Sequence, residues 1–176
     1  MSELSDRILS EKGSFERLIA RIPGFKGYHE KEARRTADRM LRDHIAEKLD
    51  ERIKRMARIE NLILDNGGLA YMTKTRSAKS KIQLFRDKIA TSTPGYDGMW
   101  AQMKIEAEDL DKIYAFDEAQ AAYVDKIDAA LDSLEQAVLT QGQLDVLIYE
   151  LETVAVEAIE AYNLREDVLT DLSNSI

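Results

Sequence analysis

Side chains that commonly carry chemistry are scarce in this chain. Its two histidines, His29 and His44, are 15 residues apart, a separation of about 22 Å on one helix. They therefore cannot bind one metal ion within that helix. Neither has a glutamate three residues before it, as the Glu-x-x-His motif of di-iron bundles requires. Cysteine is absent, which excludes thiol catalysis, disulfide bonds and cysteine-ligated metals.

Acidic residues are the remaining candidates for chemistry. Asp125, Asp128, Asp132 and Glu135 have helical spacing; they could hold a divalent cation or form a solvated helix face. The sequence contains no phosphate-binding loop, zinc-protease motif or EF-hand loop. We predict that the protein is not an enzyme and has no catalytic residue, cofactor or metal. An enzyme built from carboxylates alone stays open as an alternative.

One pair of polar residues interrupts an apolar helix seam. Asp117 and Gln120 stand where the pattern calls for apolar side chains, and a buried carboxylate is costly unless it is paired. We predict a buried polar seam here. Its carboxylate would pair with an arginine of the second helix or be hydrated, or the seam would form a ligand pocket. The nearby aromatics Tyr114, Phe116 and Tyr123 are compatible with each interpretation.

The composition predicts the elements that position these residues. Ala, Leu, Glu, Lys and Arg account for 81 of 176 residues, against two prolines and eight glycines. This bias is typical of long helices, so the fold class is all-α. No run of about 18 apolar residues occurs, and the N-terminal residues MSELSDRILSEKG lack an apolar core. We therefore expect a cytoplasmic protein.

Proline and glycine clusters divide the chain. Because proline lacks an N–H and glycine favours positive φ, the clusters end helices. The Gly13-Ser14 pair could also split the first segment, and Asn66-Gly67-Gly68 is suited to a helix C-cap. The sequence predicts five helical segments, at about 3–21, 28–64, 69–91, 99–139 and 143–172.

The predicted helix lengths determine the expected shape. In the segment 99–139, apolar residues keep a 3-4 spacing over about five heptads, as in a coiled coil. A helix of that length spans about 60 Å, whereas a compact chain of this size has a radius of gyration of about 16 Å. We therefore predict one domain over 1–176, an elongated antiparallel bundle of about five helices, two of them long.

Charge is strongly segregated along the chain. Residues 1–90 carry 21 basic and 14 acidic side chains, and residues 91–176 carry 4 and 19. The two halves could pair internally through exposed ion pairs, each worth about 0–1 kcal/mol. Alternatively, the basic hairpin 28–91 could bind the phosphates of nucleic acid or an anionic membrane. The candidate anion face comprises Lys31, Arg34, Arg35, Arg39 and Arg42, with Lys74, Arg76, Lys79 and Lys81.

Two loops share the pattern Pro-Gly-aromatic-x-Gly, at 23–27 and 94–98. In an up-and-down bundle of five helices they would lie at the same end. Phe25, Tyr28, Tyr96 and Trp100 would then gather there. They are the candidate interaction surface, because loops on a rigid scaffold often carry binding; the alternative is a hydrophobic lid that closes the core.

Two stretches resemble a family of uncharacterised bacterial helical proteins. They are GYHEKEARRTADRMLRDHIAEKLDERI and PGYDGMWAQMKIEAEDLDKIYAFDEAQ. The first is an arginine-rich helix after Gly-Tyr, and the second has a Gly-Tyr-x-Gly turn before an acidic helix. The resemblance spans about residues 22–135. It implies a bacterial cytoplasmic protein with an all-helical body, and it transfers no catalytic residue because the family has no assigned activity.

These observations lead to three functional hypotheses. The first is a non-enzymatic helical scaffold or adaptor that acts by protein–protein contacts. Its protein partner is unknown, and the chain is expected to form a homo-oligomer. The reason is that a five-helix rod has difficulty covering every apolar stripe. The second is the anion-surface binder described above, which the overall acidity disfavours. The third is the carboxylate-based enzyme.

Overall fold

The computed structural model describes residues 2–91, 100 and 102–175. The regular elements in these residues are helical, without a strand, which confirms the all-α prediction. Six α-helices are described: α1 (Glu3–Leu9), α2 (Ser14–Arg21), α3 (Arg34–Asp65), α4 (Met72–Ala90), α5 (Ala107–Thr140) and α6 (Leu144–Asn174).

The first predicted segment is two helices rather than one. Gly13 separates them with φ 75°, a left-handed conformation that glycine adopts without a steric penalty. At the start of α1, the Ser2 hydroxyl accepts a hydrogen bond from the backbone N–H of Ser5 at 3.1 Å. This hydroxyl satisfies one of the donors that a helix start leaves free.

The two long helices start later than their sequence patterns predict. α3 begins at Arg34, not at 28, and follows a 3₁₀ turn over Lys31–Ala33. α5 begins at Ala107, not at 99, because residues 103–106 are not helical. There Glu106 and Asp109 form a capping box, in which each side chain accepts a hydrogen bond from the other's backbone N–H. These residues fix the helix start.

The predicted cap after α3 is confirmed. Gly67 has φ 80°, and the N–H of Gly68 donates to the carbonyl of Ile63 at 2.8 Å. This pattern satisfies carbonyls that the helix end would leave free, and it turns the chain into α4.

Four helices form a ring of neighbours. α3 contacts α4, α4 contacts α6, α6 contacts α5, and α5 contacts α3. The short turns make α3–α4 and α5–α6 antiparallel hairpins. α3 and α5 run parallel, because Arg34 bonds to the Met103 carbonyl while Arg55 bonds to Asp128 and Glu135. The structure therefore matches the predicted five-helix antiparallel bundle only roughly.

Both short turns lie at one end of the four-helix ring, which we call the turn end. Lys74, in the first turn of α4, contacts Asp145, in the first turn of α6, at 2.8 Å. Further along the same two helices, the ammonium of Lys88 lies 5.8 Å from the ring centroid of Tyr162. α4 and α6 therefore start together and run parallel. The opposite end, where α3 and α5 begin, is called the loop end.

The two short helices pack on the outside of the ring. α1 and α2 both contact α5, and Leu18 of α2 is fully buried. Apolar side chains from all six helices form one contiguous core. Within the described residues, no helix combines the length and apolar character needed to cross a membrane.

Candidate functional site

Arg165 of α6 lies inside the bundle near the loop end, where its side chain is 1% exposed. Its Nε donates to Oδ1 of Asp117 at 2.5 Å, and its Nη2 donates to Oδ1 of Asp38 at 2.8 Å. Because these carboxylates belong to α5 and α3, one guanidinium joins three helices. The guanidinium is planar and has five N–H donors, so it can bind two carboxylates at once.

A second buried arginine extends the arrangement toward the surface. Arg42 Nε donates to Oδ2 of Asp38 at 2.9 Å, and its Nη2 donates to Oε1 of Glu166 at 3.1 Å. Its Nη1 donates to the carbonyl of Ile89, which lies in the last turn of α4, at 3.1 Å. All four helices of the ring are therefore linked by charged hydrogen bonds at one level.

A tyrosine from the loop before α3 completes the arrangement. The hydroxyl of Tyr28 donates to Oδ2 of Asp117 at 2.6 Å and accepts from Nη2 of Arg165 at 3.2 Å. Arg34 holds this loop in place, with Nε donating to the Tyr28 carbonyl at 2.8 Å and Nη1 to the Met103 carbonyl at 2.9 Å. We call the set the core charge network: Tyr28, Asp38, Arg42, Asp117, Arg165 and Glu166.

The pKa values of the two aspartates in the core charge network are shifted in opposite directions. Burial raises the pKa of Asp117 above its ordinary value, although Arg165 and the Tyr28 hydroxyl oppose the shift. Burial also acts to raise the pKa of Asp38, but the charges of Arg165 and Arg42 outweigh it and the net shift is downward. Burial and the charge of Asp117 raise the pKa of Tyr28 well above its usual range. Its hydroxyl thus stays a hydrogen-bond donor.

The structure places both residues of the candidate polar seam in the core. Asp117 and Gln120 are buried, and the arginine that binds Asp117 comes from α6 rather than from the predicted second helix. Within the described residues, Nε2 of Gln120 has no hydrogen-bond partner. In the core charge network two guanidiniums face three carboxylates, and each charged group contacts at least one of opposite charge. The core charge network is suited to fixing the register of the helices.

The structure brings together the described members of the aromatic candidate set. The rings of Tyr28 and Trp100 are stacked, 5.0 Å apart with planes 4° from parallel, and Phe25 meets Tyr28 edge-on at 5.9 Å. All three are buried, so they present no exposed area for a partner in this conformation. This is the arrangement that the lid alternative requires. Tyr96 lies outside the described residues.

Of the candidate anion face, the five residues from Lys31 to Arg42 are not all exposed. Arg34 and Arg42 are buried and donate to carbonyls and carboxylates inside the bundle, as described above. Lys31, Arg35 and Arg39 are exposed. The sequence pattern missed the difference because the burial of each arginine depends on which neighbouring segments cover it.

The acidic run of α5 faces basic residues. Arg55 of α3 donates to Asp128 and Glu135, both at 3.0 Å, and also to Asp132. Arg21 donates to Asp125 at 2.7 Å. In the described part of the chain, no group of three or more metal-ligating side chains is placed to hold an ion. The segregated charges therefore meet where α2 and α3 contact α5.

Sequence analysis missed the apolar side chains of the turn end. Eight large apolar side chains are exposed in the described residues, and five of them flank the two turns. The signal that could have found two of them, Leu69 and Leu139, is a gap in charge: residues 66–73 and 136–144 contain no charged residue, in a chain that is 33% charged. We call these five the turn-end patch: Leu64, Leu69, Leu139, Val146 and Tyr149.

Comparison with known proteins gives no match, whether with family models, with curated proteins or with solved structures.

Proposed function

We propose that this protein is a non-enzymatic helical scaffold or adaptor that acts by protein–protein contacts. The observation that supports the proposal is the turn-end patch. Leu69, Tyr149 and Leu139 are 74%, 71% and 62% exposed. Single exposed apolar residues are normal, whereas several near the same end of a bundle are a typical feature of interaction sites.

The chemistry of the turn-end patch suits a protein partner. Leucine and valine side chains have no polar group that water could stabilise, so covering them is favourable by about 25 cal/mol per Å². Tyr149 adds an aromatic ring that loses little conformational entropy on binding, and such residues often dominate interface energies. An apolar patch of this kind is suited to another apolar surface rather than to a polyanion.

The core charge network supports the same function from the opposite end. It joins α3, α4, α5 and α6 near the loop end, where Tyr28 and Arg34 tie the preceding loop to the bundle. A rigid base of this kind holds the two turns at fixed positions. Binding residues carried by a rigid scaffold lose less entropy when a partner docks.

Site-specific photo-crosslinking in living cells tests the proposed function. A photoreactive phenylalanine analogue replaces Leu69, and in a matched control it replaces Ser80, which is exposed on α4 away from the turns. We expect a discrete protein adduct from position 69 and none from position 80. Adducts of equal yield from both positions, or none from position 69, would contradict the proposal.

We further propose the setting and shape in which this scaffold works. A bacterial cytoplasmic location follows from the resemblance of residues 22–135 to bacterial helical proteins. An elongated particle with coiled-coil-like packing is supported by the 34 residues of α5, which span about 51 Å. Small-angle scattering tests the shape: a radius of gyration near about 16 Å, the value for a compact chain of this size, would contradict it.

A further inference from the structure

A groove near the loop end lies between α1, the start of α5 and the end of α6. Its volume is about 350 Å³, which is within the range of sites that hold small organic ligands. Five apolar side chains line it: Leu9, Phe116, Leu164, Val168 and Leu172. Phe116 is buried and the other four are half-buried, so the groove has an apolar interior. We call this cavity the acidic-rimmed groove, for the carboxylates described next.

The charged side chains that line the groove are mainly acidic. They are Asp109, Asp167 and Asp171, with Lys112 as the one base among the lining residues. The Lys112 ammonium lies 3.9 Å from Glu108, and Asp109 accepts a hydrogen bond from the backbone at the start of α5. Within the described residues, neither Asp167 nor Asp171 makes an ion pair or a side-chain hydrogen bond. Two carboxylates of the groove therefore lack a counter-charge.

The positions of these two carboxylates are unfavourable for the helix that carries them. Asp167 and Asp171 are four residues apart on α6, a spacing at which like charges repel. Asp171 also lies in the last turn, where the helix dipole favours basic residues, and that turn contains none. A local cost that no contact within the chain offsets is typical of functional positions. A bound cation would supply the missing counter-charge.

We propose that the acidic-rimmed groove binds a small organic cation with an apolar body, such as an alkylammonium compound. The apolar interior covers the body, and the carboxylates bind the ammonium group through charge-assisted hydrogen bonds. An inorganic cation leaves the apolar interior uncovered, and a fatty acid adds a carboxylate to three others. The site is independent of the proposed function, because it lies at the opposite end of the bundle from the turn-end patch.

The core charge network holds two walls of the groove in place. Phe116 and Leu164 directly precede Asp117 and Arg165, whose side chains bind each other inside the bundle. The adjoining parts of α5 and α6 therefore cannot separate without breaking a buried ion pair. A groove whose walls are already fixed loses little conformational entropy when a ligand enters it.

A ¹H–¹⁵N NMR titration of the full chain with octylammonium chloride tests the proposal. We expect saturable shifts in the amide signals of the groove residues, with a Kd of about 0.1–1 mM. Octan-1-ol and octanoate have the same alkyl chain with a neutral or a negative head group, and methylammonium has the charge without the chain. Each should bind at least about 10-fold more weakly. Salt at about 150 mM screens general attraction to the acidic surface.

Charge-removing variants locate the site. Asp167→Asn combined with Asp171→Asn changes two exposed side chains and should weaken octylammonium binding at least about 10-fold. The matched control combines Glu47→Gln with Glu150→Gln, two exposed carboxylates outside the groove. It removes the same total charge and should leave the Kd unchanged. Circular dichroism checks that both double variants are folded.

Four results would overturn the proposal. They are the absence of saturable shifts up to about 10 mM octylammonium, shifts spread evenly over the acidic surface, equal losses of affinity in the two double variants, and binding of any comparison compound as tight as that of octylammonium. A peptide of alternating leucine and lysine is titrated in parallel. If it shifts the groove signals and octylammonium does not, the groove binds a basic protein segment instead.

Discussion

Removing the guanidinium at the centre of the core charge network is the perturbation with the clearest expected size. Arg165→Met keeps most of the buried volume and deletes the charge that binds both Asp117 and Asp38. Asp38 still contacts Arg42, but Asp117 is left with the Tyr28 hydroxyl as its hydrogen-bond donor among the contacts described above. A carboxylate in that position is fully buried and has lost its counter-charge.

The expected cost follows from the burial of these groups. Breaking a buried ion pair by removing one partner typically costs about 3–5 kcal/mol, because the remaining charge is uncompensated. For a chain of this length each kcal/mol lowers the melting temperature by about 2–4 °C. Arg165→Met should therefore lower it by roughly 6–20 °C. Adding Asp117→Asn to this variant should recover part of the loss, because the stranded charge is then removed.

Urea unfolding followed by circular dichroism measures this cost. The matched control is Arg86→Met, which deletes a guanidinium that is 37% exposed and bound to Asp50 at 2.9 Å; exposed pairs are worth about 0–1 kcal/mol. We expect the buried variant to lose several times more unfolding free energy than the control. Equal losses would refute the idea that the core charge network contributes more than a surface ion pair.

Three further outcomes are expected. The pKa of Asp38 is lowered in the folded protein. The stability that the ionised Asp38 contributes is therefore complete above pH of about 4 and is lost as the pH falls. Asp38→Asn should reduce the loss of stability at acid pH, measured by urea unfolding at a series of pH values. Gly27→Ala should cost about 1–3 kcal/mol, because φ is 74° and aromatic atoms occupy the place of a Cβ; Gly67→Ala, with open space around its Cβ, should cost less. Tyr28→Phe should leave the fluorescence of Trp100 unchanged, whereas Tyr28→Leu should shift it, because only the leucine removes the stacked ring.

Helix identity was predictable from the sequence because it depends on local patterns. Apolar spacing and the glycine cluster after α3 act within a few residues, and both predicted the structure correctly there. The starts of α3 and α5 were misplaced for a related reason. Apolar spacing continues across residues 99–106, whereas the capping box of Glu106 and Asp109 fixes the helix start.

The partner of Asp117 was not predictable in the same way. The sequence indicates that a carboxylate stands in an apolar seam, but any of several arginines could bind it. The choice of Arg165 depends on α5 lying between α3 and α6, which is a property of the tertiary arrangement. For the same reason the arginines of α3 could not be sorted into buried and exposed members from their spacing alone.

The core charge network also has a consequence for the order of folding. Its bonds join residues far apart in the sequence: Asp38 and Arg165 are 127 positions apart, and Tyr28 and Arg165 are 137. The contacts within each helical hairpin close much shorter loops, which form faster. We therefore expect the hairpins to form first and the charged contacts to form late, after the folding barrier. Variants of Arg165 should then fold at nearly the normal rate but unfold faster. The core charge network therefore acts mainly on the unfolding rate, and so on how long a folded molecule lasts before it unfolds and is exposed to proteases.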